Sequence, residues 1–278
     1  VFLEEVTKMC RQWLILWGKK NNFHMNRITK IFKTRSKKII PFLTSGYPRK
    51  EDTVSMVLAA ESGGAAMVEL GMPFSDPLAD GPVIQSSSQM AIQNGVNIPW
   101  ILETVLEIRK QSEIPITLMG YINPIIKYGI NAFILDCKTS GIDGLIIPDL
   151  PPEEADEFVK KSKENSICPI LLVAPNTPNN RIHEISKLAG DLIYCVSILG
   201  ITGSQGATND KLISYLNRVK KYSVCPYIVG FGIANRSDVI SVNEISHGAV
   251  IGSAIIKEMK RISDPVVFIK NYIEKLNS

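Results

Sequence analysis

Eight short apolar runs, each followed by a longer stretch of helical period, constrain this chain more than any other feature of its sequence. The runs cover residues 39–45, 65–70, 114–119, 144–148, 169–174, 192–197, 226–230 and 249–252. Between them lie helix-like stretches such as 51–62, 99–111, 152–165, 179–188 and 209–221. Strand–helix alternation implies a parallel sheet whose outer face is covered by helices. The runs are continuously apolar rather than alternating, as strands buried on both faces should be. Eight such units in roughly 240 residues fit a (β/α)8 TIM barrel in one domain better than a doubly wound sheet. Pro152 with Glu153 and Glu154 predicts a helix start, and Asp264 before Pro265 predicts another.

Composition agrees. With 278 residues, 45% apolar and 21% charged, the chain has material for one large core. The formal net charge of +4 comes from one end. Residues 1–40 hold ten Lys/Arg against Glu4 and Glu5, so the remainder is net acidic and offers no nucleic-acid groove. No apolar run approaches the roughly 18 residues of a membrane span. The five cysteines, Cys10, Cys137, Cys168, Cys195 and Cys225, are isolated, which points to a reducing compartment and no structural metal site. Residues 1–24, with Trp13 and Trp17, show no helical period, and an opening helix is expected only from Met25. They are read as a basic extension outside the fold, with the barrel over 25–278. A transit peptide is the alternative, but the segment contains no serine.

Barrel chemistry belongs at the C-terminal ends of the strands. The second of these is the segment MVELGMPFSDPLADGP at 67–82. It sets Glu69 among apolar neighbours and follows it with a loop carrying Asp76 and Asp80. A carboxylate so placed is costly to bury unless it is partnered or protonated, which makes Glu69 a candidate acid/base. The alternatives are a solvated or lysine-paired Glu69, an Asp80 that caps a helix over 83–94, and an Asp76 that only makes a turn. Glycines end the sixth, seventh and eighth units, at Gly200 and Gly203, Gly230 and Gly232, and Gly252 before Ser253. Three such ends side by side suggest a phosphate site, although each could be a tight turn alone. His24, His183 and His247 all fall away from the strand ends, so acid/base work must rest on carboxylates or tyrosines.

The 67–82 segment resembles, almost residue for residue, the active-site loop of the tryptophan synthase alpha subunit family. So do PFLTSGYP at 41–48, MGYINP at 119–124, IPDLP at 147–151 and YCVSILGITG at 194–203. The resemblance spans about residues 39–275. It implies retro-aldol cleavage of indole-3-glycerol phosphate to indole and glyceraldehyde 3-phosphate, with neither metal nor cofactor in this chain. It implies Glu69 and Asp80 as the catalytic pair, and Phe42 and Tyr121 lining the indole pocket. Thr202 would close the sixth loop, while Gly203, Gly232, Gly252 and Ser253 would bind phosphate, with Tyr194 nearby. Pro73 and Asp76 would face a pyridoxal-phosphate beta subunit in an alpha2beta2 tetramer. The implied compartment is the cytoplasm, or the plastid stroma for a photosynthetic eukaryote. Two alternatives stay open: a free-standing lyase that releases indole, and a chain that acts mainly as an activator of the beta subunit. Ile198 and Leu199 stand where the family carries Arg-Ser or similar, and Ala234 replaces a common serine. These departures bear on loop closure and partner signalling, not on the reaction class.

Overall fold

All eight apolar runs become strands in the computed structural model, which describes residues 26–34, 36–196, 205–230 and 232–278. They are β1 (Ile39–Thr44), β2 (Val68–Gly71), β3 (Ile116–Met119), β4 (Gly144–Ile146), β5 (Cys168–Val173), β6 (Ile193–Val196), β7 (Tyr227–Gly230) and β8 (Ala249–Ile251). Each pairs in parallel with the next, and β8 returns to β1, so the sheet closes into a barrel with no edge. β2 starts three residues later than its apolar run, because the amides of Ala65 and Ala66 bond to Ala60 and to Ile39 in the turn leading into the strand.

The described helices are α1 (Arg27–Ile31), α2 (Thr53–Ser62), α3 (Pro82–Gln93), α4 (Ile98–Arg109), α5 (Ile122–Tyr128) and α6 (Ile130–Ser140). They continue with α7 (Asp156–Glu164), α8 (Asn179–Ala189), α9 (Gln205–Tyr222), α10 (Arg236–Ile245), α11 (Ser253–Met259) and α12 (Pro265–Asn277). Asp264 caps α12 as expected, accepting bonds from the Val266 and Val267 amides. The helix expected over 152–165 is broken. Pro152–Glu154 form a 3-10 turn closed by Ala155 N–H on the Pro152 carbonyl, and α7 begins only after the fully buried Ala155.

The N-terminal face of the barrel is shut by α1. Ile28, wholly buried, occupies the space where Gly144 lacks a side chain; a Cβ there would lie 2.7 Å from Ile28 Cδ1. Around it, buried Asp143 accepts from Arg27 Nη1 (3.0 Å), Arg109 Nη2 (2.8 Å) and the Ile116 amide (2.9 Å). Asn26 Nδ2 donates to the Asp143 and Ser166 carbonyls, at 2.7 Å each. His247 lies at this same end, before β8, with its ring edge-on to Tyr227. The opposite face is the one left for chemistry.

Candidate active site

Backbone register brings the candidate groups together. Glu69 on β2 is the Cα partner of Phe42 on β1, so both side chains point into the barrel. Room for the Phe42 ring comes from Gly71, where a Cβ would meet Phe42 Cζ at 2.6 Å, and from Gly252, where it would meet Phe42 Cβ at 3.2 Å. Tyr194 on β6 uses the same device: a Cβ at Gly230 would sit 1.7 Å from its hydroxyl. Sequence reasoning read Gly230 as part of a phosphate turn and did not single out Gly71. Their signal is a glycine ending a strand beside an aromatic two strands' width or less away, which only the register reveals.

Glu69 is 0% exposed, and neither carboxylate oxygen has a hydrogen-bond partner among the described residues. Burial, with a smaller contribution from nearby Asp80, pushes its carboxyl up to about 8. Such a group carries its proton at neutral pH and can give it up within a unit or so. The solvated and lysine-paired alternatives are therefore excluded.

Asp80 is positioned by the loop after β2. That loop is pinned where the Met72 amide bonds to the Met119 carbonyl (2.7 Å) and the Ala79 amide donates to Tyr121 Oη (3.0 Å). The Tyr121 hydroxyl lies near enough to Asp80 for the two to shift each other's ionisation, and its ring lies 5.5 Å from that of Phe74. Burial raises the Asp80 carboxyl, and the Tyr121 hydroxyl opposes that rise. Asp80 is not the cap of α3: that position is Gly81, followed by Pro82, with no side-chain capping bond. Tyr121 thus does more than line a pocket, since it holds the loop at Ala79, next to Asp80.

Asp76 is exposed, and its carbonyl closes a turn on the Leu78 amide at 3.0 Å. Its side chain also lines a cleft of about 410 Å3 with Phe74, Leu78, Tyr121, Asn123 and Asp149. Leu78 is 94% exposed beside it, while Pro73 is half-buried. At the ends of β7 and β8, Gly232 holds φ +79°, and α11 starts at Ser253 without a side-chain cap, so its first amides face outward from the barrel end. Thr202, Gly203, Ile198 and Leu199 lie outside the described residues. Among the described residues no cluster of His, Cys, Asp or Glu could hold a metal ion, and no helix is long and apolar enough to cross a membrane.

Residues 28–276 match the family model described as tryptophan synthase alpha chain. The chain is 46% identical over 240 residues to the tryptophan synthase alpha chain of Petrotoga mobilis, covering 86% of this chain and 93% of that one. Its structure is similar to that of the tryptophan synthase subunit alpha of Legionella pneumophila, with a TM-score of 0.84 at 34% identity over 91% of this chain and 97% of the other. It is also similar to a chain of the tryptophan synthase complex from Pyrococcus furiosus, with a TM-score of 0.79 at 35% identity over 87% and 98%.

Proposed function

The chain belongs to the tryptophan synthase alpha chain family, and on that premise we propose that Glu69 and Asp80 carry out the cleavage of indole-3-glycerol phosphate. The Glu69 carboxyl gives its proton to indole C3. The resulting positive charge spreads onto the ring N–H, where the Asp80 carboxylate balances it. The Glu69 carboxylate then takes the proton of the glyceryl hydroxyl. The carbonyl of glyceraldehyde 3-phosphate forms, the carbon–carbon bond breaks, and its electron pair restores the indole ring. Glu69 ends protonated, as it began, so one group serves as acid and base in a single turnover. The observation that supports this most is a wholly buried carboxyl, with no competing hydrogen-bond partner among the described residues, at a barrel strand end.

Phe42 and Tyr121 flank the indole in this reading, and Tyr194 lies deeper. Gly232, Gly252 and Ser253 offer backbone amides to the phosphate; by family resemblance Gly203 would join them and Thr202 would close the sixth loop over the second. The reaction as written calls on no cofactor within this chain. The cleft lined by Asp76 and the exposed Leu78 is the proposed seat of a pyridoxal-phosphate beta subunit, with Pro73 earlier in the same loop facing it as well. The likeness to a chain of the Pyrococcus furiosus tryptophan synthase complex favours a docking role over a free-standing lyase. The test is indole release from indole-3-glycerol phosphate, measured with and without a pyridoxal-phosphate beta subunit. Slow turnover alone and a large increase with the partner are expected. Fast turnover unaffected by the partner would favour the free-standing lyase, and no turnover in either setting would overturn the catalytic reading.

A further inference from the structure

A second polar group lies fully buried on the strand beside Glu69. Thr117 on β3 is the Cα partner of Glu69, so its side chain enters the barrel on the same face, one strand over. It is 0% exposed, and its Oγ1 has no hydrogen-bond partner. Of the buried hydroxyls left unpartnered among the described residues, on Ser45, Thr117 and Ser162, this one alone is in register with Glu69. The Thr117 methyl is the branch nearer β4, since a Cβ at Gly144 would lie 2.9 Å from Cγ2. The hydroxyl is therefore the branch left for the β2 side and the barrel centre. Valine has the same shape and suits a strand at least as well, so an unpaired hydroxyl here is a cost with no structural return.

We propose that Thr117 is a positioning residue for Glu69, its hydroxyl donating to one carboxylate oxygen while the other faces the substrate. In-register side chains on adjacent strands have Cβ atoms about 5 Å apart, so rotation within the glutamate side chain closes the gap. A hydroxyl is a stronger donor to a carboxylate than to a neutral carboxyl. The bond therefore forms when Glu69 has released its proton, the state that must persist between protonation of the ring and uptake of the hydroxyl proton. The ionisable groups facing Glu69 among the described residues are Asp80, which disfavours its charge, and Tyr194. Phe42, on the other flank, supplies no donor.

The inference rests on Glu69 being the acid/base, and the test separates the two. Glu69 ionisation is followed by carbon NMR of the labelled carboxyl in the full-length chain, beside the pH dependence of kcat. Thr117→Val should raise the Glu69 pKa by about one unit, lower kcat roughly tenfold and leave KM unchanged. Thr117→Ser should restore both. A Glu69 pKa in the valine variant within about 0.3 units of the parent, or a serine variant that shifts as the valine one does, would overturn the role of Thr117. If the pKa shifts as expected but Glu69→Gln retains full turnover, the catalytic reading fails instead.

Discussion

Burying Glu69 without a partner has a consequence for stability as well as for chemistry. Its carboxyl is raised to about 8 in the folded chain, so between the ordinary carboxylate range and pH 8 the folded state holds a proton that the unfolded state has lost. Stability attributable to this residue is greatest below that window and falls as pH rises through it. Glu69→Gln should therefore be more stable than the parent at pH 8, by at least about 1.4 kcal/mol, the equivalent of one pKa unit, and equal to it at pH 4. Denaturant unfolding at the two values checks this; an equal difference at both would mean packing, not ionisation, is responsible. Nearby, Tyr121→Phe removes the hydroxyl that opposes the rise of the Asp80 carboxyl. The Asp80 pKa should go up and kcat should drop, roughly tenfold, because the loop loses its anchor at Ala79, next to Asp80. An unchanged kcat would release Tyr121 from that role. At this scale the sequence pointed to Glu69 as an unusual carboxylate, because a glutamate in an apolar run is costly wherever it falls, and the structure finds it wholly buried and unpartnered among the described residues. The sequence was silent about Thr117 and Gly71 and misdirected about Gly230, whose significance arises from neighbours on other strands.

At the scale of elements, the strands were legible because both of their faces are buried and continuous apolar character follows. Their ends were not, since a run such as 65–70 includes turn residues that are buried for other reasons. The break before α7 was illegible too, because Pro152, Glu153 and Glu154 suit the first turn of a 3-10 turn and of an α-helix equally. The glycine-backed ends make a prediction of their own. Gly232 holds a positive φ, so a bulky substitution strains the backbone as well as filling the space beside it. Gly232→Val should raise KM for the substrate strongly, with little change in kcat at saturation. An unchanged KM, with glycerol phosphate still bound, would show that this glycine only makes a turn.

For the whole molecule, closure at one end and openness at the other follow from where α1 lies. Ile28 fills the floor and the Asp143 cluster locks it there, leaving the opposite end open for the strand-end loops that carry the site. Ile28→Ala should cost about 2–5 kcal/mol, as a wholly buried aliphatic truncation does. A chain beginning at Met25 should melt at the same temperature as the 278-residue chain and keep the same activity, because every contact of α1 described above is retained. A loss of several degrees would assign residues 1–24 to the fold. Eight-fold strand–helix alternation pointed to the barrel that the structure shows, although closure itself leaves no mark on periodicity. The reaction leaves none either, and entered through the resemblance of the 67–82 segment. The most direct measurement is turnover of indole-3-glycerol phosphate by Glu69→Gln, with substrate binding followed by calorimetry on the same protein. The account predicts binding within a few-fold of the parent and no detectable indole, whereas indole formed at the parent rate would contradict it.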